Sequence, residues 1–202
     1  HLFGLIKNNL APKGRFVTCD IIGRNGHMRW PESLAILREV WKKLPHKYKF
    51  HYQLNRYNDY FDNWDCSSEG FEGIRAQDIL PLLVNTFSFE VFFTYGNLID
   101  PFVDRAFGSN YDCTNPADTT FIDSIQEMNE QLISEGTLKP TSMIAVMGNE
   151  SFGNPAIYKH WTPAFCIRDP KAPPPELDVQ AWIEKIPFPT VNENHPSKIN
   201  QV

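Results

Sequence analysis

The sequence lacks both a long hydrophobic run and a concentration of positive charge. Hydrophobic residues make up 42% of the 202 residues, yet no apolar run approaches the roughly 18 residues of a membrane-spanning helix. The formal net charge is -5, and the lysines and arginines are scattered rather than aligned. Because nucleic-acid-binding faces concentrate basic residues, we expect neither a nucleic acid nor a membrane as a partner.

Several short catalytic motifs are also missing. The sequence contains no GxSxG, Walker A or HExxH motif, which disfavours α/β-hydrolase serine enzymes, P-loop enzymes and zincins. The sequence therefore indicates its function, if at all, through patterns other than these motifs.

Cysteine is scarce, and no two cysteines form a CxxC pair among the four present. His46 and His51 lie near Asp59 and Asp62, but their spacing matches no structural zinc site, so we predict no metal. An even count leaves a secreted disulfide framework open, although a chain of this size can be stable without one. We expect reduced thiols and a cytoplasmic location.

The most informative stretch present is residues 14–30, an apolar run that ends in a polar, glycine-containing loop. Phe16, Val17 and Ile21 suit a buried strand, and the following loop contains Arg24, Asn25 and His27 between or beside two glycines. In open α/β sheets, ligands bind beyond the carboxyl ends of strands. We therefore expect the functional site at residues 20–30.

Hydrophobic periodicity and cap residues place the remaining elements and predict an α/β fold. We expect helices at 2–10, 31–44, 79–86 (with Asp78 as its cap) and 116–135, and strands at 15–22, 89–95 and 141–147.

Two segments lack regular periodicity. Residues 46–73 are aromatic and polar, and a connection of this length usually covers a functional site, which makes it a candidate lid. Residues 170–202 are rich in proline and polar residues, and we expect a disordered tail, with Trp182 and Ile183 as candidates for docking. The tail could link to another domain.

The order of these elements resembles the C-terminal half of a class I S-adenosylmethionine-dependent methyltransferase of a bacterial-type subgroup. The resemblance is carried by residues 2–32 (LFGLIKNNLAPKGRFVTCDIIGRNGHMRWPE), 72–108 and 121–147. It implies a partial Rossmann-like sheet made of the last three strands, with helices and a long insertion. The implied boundaries are 1–148 for the methyltransferase part, 149–169 for an extension and 170–202 for the tail.

The resemblance further implies that residues 142–147 pair with residues 89–95, and that residues 24–27 lie at the rim of a cleft. The cofactor-binding half of such an enzyme is missing from this sequence, and we interpret the chain as truncated. Residues 23–26 lack the GxGxxG spacing and follow the wrong strand to replace it. S-adenosylmethionine is thus implied for the full-length protein, and no residue of this chain is assigned to it.

In the implied fold, the loop after the first of these strands belongs to the side that binds the methyl acceptor. His27 is the candidate catalytic base because imidazole exchanges protons near neutral pH; the alternative is a histidine that orders the loop by bonding to backbone. Arg24 and Asn25 are candidate ligands of an acidic or hydroxylated acceptor, and the alternative for them is helix capping and turn formation.

Three further side chains complete the candidate acceptor site. Trp30 and Trp64 could form aromatic walls against the acceptor, although packing in the core explains tryptophan equally well. Arg75 could anchor the lid through neighbouring carboxylates, or it could belong to a solvated surface network.

The expected function is accordingly the acceptor-binding half of a methyltransferase that acts on a small-molecule or sugar acceptor, inactive as this fragment. An alternative from another class is a non-catalytic module whose aromatic-rich residues 46–107 bind a carbohydrate or a protein.

Overall fold

The computed structural model describes residues 2–190, which form an α/β fold. Its helices are α1 (Leu2–Asn9), α2 (Pro31–Lys43), α3 (Ala76–Val84), α4 (Asp100–Val103), α5 (Pro116–Ser134), α6 (Pro163–Cys166) and α7 (Val179–Ile183). Its strands are β1 (Phe16–Ile21), β2 (Phe50–His51), β3 (Arg56–Tyr57), β4 (Ser88–Tyr95), β5 (Ser142–Gly148) and β6 (Ala156–Ile157).

Most elements that the periodicity predicts are confirmed, and α5 shows why. The Asn115 side chain accepts a hydrogen bond from the Ala117 amide at 3.0 Å, and Pro116 occupies the first helical position. Gly136 follows the helix with φ of +81°, a conformation that favours glycine. One cap prediction is wrong: α3 begins at Ala76, ahead of Asp78, whose carboxylate pairs with Arg75 instead.

The main sheet has the strand order β1-β5-β4-β6. Strand β5 runs antiparallel to both of its neighbours, whereas the short β6 is parallel to β4. Ser142 therefore lies opposite Ile21 on one side and Tyr95 on the other, which confirms the predicted pairing of residues 142–147 with residues 89–95. The fourth strand was not predicted, because two residues carry no detectable periodicity. Among residues 2–190, no strand pairs with the other edge of β1.

The two faces of this sheet differ sharply in burial. Met143, Ala145 and Met147 of β5 are fully buried and pack on a core built with α2 and α5. Residues opposite one another in an antiparallel pair point to the same face, so the cross-strand register defines an outer face. The outer face consists of Val17, Cys19, Ile21, Val91, Phe93, Tyr95, Ser142, Ile144 and Val146. Val17 is 61% exposed there, and Phe93, Tyr95 and Ile144 are each about 40% exposed.

Residues 167–190, here called the C-terminal strap, pack across α2. Ile183 and Ile186 are buried, and α7 lies against α2. Composition predicts disorder for residues 170–190, whereas residues 177–188 pack on the domain, because Leu177, Val179, Trp182, Ile183, Ile186 and Phe188 reach the core. Residues 191–202, the rest of the predicted tail, lie outside the described residues. Residues 149–169 include β6 and so extend the same sheet.

A buried ion pair ties the strap to the start of α2. Arg168 Nε donates to Glu32 Oε1 at 2.9 Å, and the two side chains are only 11% and 2% exposed. The other carboxylate oxygen, Glu32 Oε2, is buried without a hydrogen-bond partner. Glu32 thus depends on Arg168 for the compensation of its charge.

We predict that Arg168→Met destabilises the protein by about 3–5 kcal/mol, because it leaves the Glu32 carboxylate buried without its cation. The double variant Glu32→Gln with Arg168→Met should recover much of this loss. Urea unfolding followed by circular dichroism measures both. Lys42→Met, which removes the exposed partner of Glu39, is the control and should change stability by less than about 0.5 kcal/mol. Equal effects of Arg168→Met and Lys42→Met would contradict the role of the buried pair.

Candidate functional site

The loop between β1 and α2 makes an abrupt change of direction at two successive residues. Gly26 and His27 have φ values of +67° and +56°, both in the left-handed region. Glycine adopts this conformation at little cost, whereas a histidine in it carries backbone strain. The contacts around the loop must therefore hold His27 in place.

Those contacts come from the later part of the segment predicted as a lid. The Gly26 amide donates to the Gly73 carbonyl at 2.8 Å. Asn25 Oδ1 accepts from the Gln77 amide at 3.2 Å, and its own amide donates to Gln77 Oε1 at 3.3 Å. Asn25 thus anchors the loop to the start of α3, in line with the turn-forming alternative.

The Asp65 side chain packs against the loop at Gly26. A Cβ atom added to Gly26 would lie 1.8 Å from Asp65 Oδ1, so the carboxylate occupies the space that any other side chain would need. The Ser67 hydroxyl and amide donate to the same oxygen at 2.6 and 2.9 Å. These two hydrogen bonds, the hydroxyl's first, hold the pKa of the Asp65 carboxyl below its usual range.

The His27 ring lies against Gly73, with Nδ1 3.7 Å from Glu72 Oε1. Throughout residues 2–190, no hydrogen bond to the imidazole is found, so the backbone-bonded alternative is not observed. The side chain is 21% exposed. Neither ring nitrogen is engaged in a hydrogen bond among these residues, and Glu72 is near enough to orient the ring.

Two concavities flank the end of β1, and His27 and Ile21 line both. The first, here called the apolar crevice, measures about 370 Å³ and lies between the end of β1 and residues 71–79. It is lined by Asp20, Ile21, His27, Phe71, Gly73, Ile74, Arg75, Ala76 and Ile79. The second, here called the polar crevice, measures about 190 Å³ and lies between β1 and β5. It is lined by Ile21, Gly23, His27, Met28, Arg29, Asp100, Thr141 and Ser142.

A charge-balanced network forms the wall of the polar crevice. Asp100 Oδ2 accepts from Arg29 Nη1 at 2.8 Å, from Thr141 Oγ1 at 2.8 Å and from the Asn97 amide at 3.1 Å. It therefore connects the loop after β1 to the ends of β4 and β5. Sequence reasoning missed Arg29 in this role, because its partner lies 71 residues away and nothing local distinguishes it from Arg24.

Of the residues that the sequence predicts for the site, some line a crevice and others contact their own loop instead. His27 and Arg75 line the apolar crevice, where Arg75 also pairs with Asp78 at 2.8 Å. Arg24 donates to the Arg29 carbonyl at 3.3 Å and faces the Trp30 ring.

The two tryptophans lie outside both crevices. Trp30 is 8% exposed, and Arg24 and Arg168 approach its ring at 5.7 and 5.3 Å, so it packs in the core rather than forming a wall. Trp64 is about half exposed on the surface.

Another concavity, about 450 Å³, lies between residues 102–113 and the start of α5. Its buried acid, Asp118, already accepts hydrogen bonds from the Tyr48 hydroxyl and the Asp112 amide. Burial and this carboxylate raise the pKa of Tyr48. Asp118 and Tyr48 thus hydrogen-bond within the protein and stabilise the fold. We therefore consider the end of β1 the better candidate site.

The loop at residues 23–26 does not fit the methyl donor. A cofactor cradle needs open backbone at its glycines, whereas Asp65 fills the space beside Gly26 and Thr141 lies 3.3 Å from the Cβ position of Gly23. In the part of the chain that the structure describes, no three histidine, cysteine or acidic side chains are grouped as a metal-ligand set. Over the same residues, no helix has the length and apolarity needed to cross a bilayer.

Comparisons with known proteins return nothing for this chain: no protein-family model matches it, and no match was found among curated proteins or solved structures.

We predict that Gly26→Ala destabilises the protein by about 1–3 kcal/mol. The new Cβ atom would displace Asp65 from Ser67, and the alanine would have to adopt the left-handed φ that glycine adopts here. Urea unfolding and the amide resonance of Ser67 report the two effects. Gly70→Ala is the matched control, because no atom lies within 4 Å of its Cβ position. The packing described for Asp65 would be refuted by a Gly26→Ala variant with the stability of Gly70→Ala.

Proposed function

We propose that this chain forms the acceptor-binding half of an S-adenosylmethionine-dependent methyltransferase, completed by a donor-binding half outside these 202 residues. The observation that carries the proposal is the outer face of the sheet, which is apolar and exposed beside the unpaired edge of β1. Sheets of this class normally have both faces covered by other elements. A second half could pair its own strand with the unpaired edge of β1 and bury the apolar outer face.

The arrangement of the long strands supports the same proposal. Strand β5 lies antiparallel between β1 and β4, its pairing with β4 is the one that the resemblance implies, and β1 and β4 end at the same edge of the sheet. Both crevices open at that edge, where ligands of α/β sheets bind. The acceptor would therefore lie beside the boundary with the proposed donor half.

His27 has the position that a general base for this reaction needs. It lines both crevices, and neither of its ring nitrogens is engaged in a hydrogen bond within residues 2–190. Methyl transfer depends chiefly on alignment, and the protein adds removal of the acceptor's proton. In this proposal His27 takes that proton, Glu72 orients the imidazole ring, and the Arg29 pair with Asp100 holds the loop in place. S-adenosylmethionine supplies the methyl group when bound by the other half.

The alternative, a carbohydrate- or protein-binding module, has less support. It requires the aromatic side chains of residues 46–107 to form a binding face, but Tyr48, Phe92, Phe102 and Phe107 are buried in the core. The exposed aromatic side chains of this region belong to different elements: Phe93 and Tyr95 lie on the outer face of β4, Tyr57 lies on β3, and Tyr60, Trp64 and Phe71 lie in irregular segments. A cytoplasmic location stays a prediction; the four cysteines are free thiols.

The proposal predicts that the protein expressed with its upstream coding sequence binds S-adenosylmethionine, whereas the 202-residue chain does not. Isothermal titration measures this difference. Thiol alkylation gives an independent readout, because Cys19 lies on the exposed outer face and Cys113 lies elsewhere on the surface.

Cys19 should react readily in the 202-residue chain and slowly in the extended protein, while Cys113 reacts equally in both. Cys166 should react in neither, because burial raises its pKa to about 11 and keeps the thiol protonated. An extended protein that leaves Cys19 fully reactive and binds no S-adenosylmethionine refutes the proposed function.

In the extended protein, we expect His27→Ala to lower the rate of methyl transfer about 10²–10⁴-fold with intact cofactor binding, because the acceptor loses its proton acceptor. Arg24→Ala should retain most activity, since its guanidinium bonds to backbone and packs on Trp30. Initial rates with a radiolabelled methyl donor provide the measurement. The base assignment fails if His27→Ala and Arg24→Ala are equally active.

A further inference from the structure

The apolar crevice has a lining that restricts what it can bind. Its walls are the side chains of Ile21, Ile74, Ile79 and Ala76, from the end of β1 and the start of α3. Phe71 stands at its rim and is 90% exposed. A molecule with an apolar, ring-sized body would bury these surfaces and give Phe71 a partner.

The charged groups around this crevice are already compensated or disfavour an anion. Arg75 pairs through Nε with Asp78 at 2.8 Å. Asp20 and Glu72 add two further carboxylates, and Asp20 Oδ1 accepts from the Ile21 amide at 2.8 Å. The carboxylates near the crevice therefore outnumber its arginine, and a carboxylate or phosphate ligand would meet net negative charge.

A sugar is equally unsuited to these walls. Each of its hydroxyl groups would need a hydrogen-bond partner in the crevice, and a buried hydroxyl without one is costly. The polar side chains that line this crevice are Asp20, His27 and Arg75, and between them the lining consists of apolar side chains and Gly73. A sugar with hydroxyls around its ring would therefore place several of them against apolar side chains that cannot hydrogen-bond to them.

We infer that the apolar crevice binds an uncharged alcohol or phenol with a ring-sized apolar body, whose single hydroxyl group donates to His27 while the ring contacts Phe71 and the isoleucines. This ligand class rests on the proposed function for its role as the methyl acceptor. The binding itself does not require a methyl donor. From the sequence we expect a small-molecule or sugar acceptor. The inference narrows this class to an apolar compound with one hydroxyl group.

Binding to the 202-residue chain tests the inference with β-naphthol as the probe. Amide chemical shifts of Gly23, Gly26 and Gly73 locate the probe, and their titration gives its affinity. β-Naphthyl methyl ether has the same body without the donor and should bind roughly 2- to 10-fold more weakly, the effect of one hydrogen bond. β-Naphthoate and methyl glucoside should bind at least about 10-fold more weakly than β-naphthol.

Variants assign these effects to the crevice. His27→Ala should abolish the difference between β-naphthol and its ether. Phe71→Ala and Ile79→Ala should each weaken both naphthyl probes roughly 3- to 10-fold by removing apolar contact. Val103→Ala, at an exposed apolar site away from the crevice, is the control and should leave both affinities unchanged. Thermal unfolding identifies any variant that fails to fold, and Phe71→Ala, at an exposed position, should keep the wild-type melting temperature.

Three outcomes would overturn the inference. The first is tighter binding of β-naphthoate, methyl glucoside or the cation β-naphthylmethylamine than of β-naphthol. The second is equal affinity for β-naphthol and its ether in the wild-type chain. The third is unchanged binding in Phe71→Ala and Ile79→Ala.

The inference and the proposed function fail separately. If β-naphthol binds as expected and the extended protein transfers no methyl group, the proposed function fails alone. If the extended protein methylates only sugars or acids, the ligand class fails alone.

Discussion

The structure depends on the insertion of β5 between β1 and β4. Its hydrogen bonds to both neighbours make β1 and β4 parallel to each other and bring their ends to one edge of the sheet. Because Met143, Ala145 and Met147 alternate with exposed or half-buried residues, the same strand separates a packed face from a bare one. Both the candidate site and the proposed contact with a second half follow from this strand.

At the candidate site, close packing beside two glycines sets the position of the His27 ring. Gly26 leaves room for the Asp65 carboxylate, and Gly73 leaves room for the His27 ring. The strained backbone of His27 is held by these contacts and by Asn25, which places the imidazole between an apolar and a polar crevice. A side chain positioned by packing in this way carries no short sequence motif, because the residues that hold it lie far along the chain.

The sequence predicted the local elements well, whereas its site assignments stay predictions. Residues 20–30 were expected at a ligand crevice, and Ile21 and His27 line both concavities at the end of β1. Arg24, Asn25 and Trp30 have the alternative roles that were weighed for them, in backbone bonding and packing. Their chemistry as residue types suits either role, so only the positions of their neighbours could distinguish the two.

What the sequence determined by itself is local. The Asn115 cap with Pro116, the glycine after α5 and the apolar runs of the three long strands act over a few residues, so their signals are readable in order along the chain. The tertiary structure alone decided the partners that lie far apart. Arg29 meets Asp100, Asp65 fills the space beside Gly26, and Arg168 reaches Glu32 across 136 residues. Such pairings depend on how the elements pack in space, and a single sequence carries no periodic or capping signal for them.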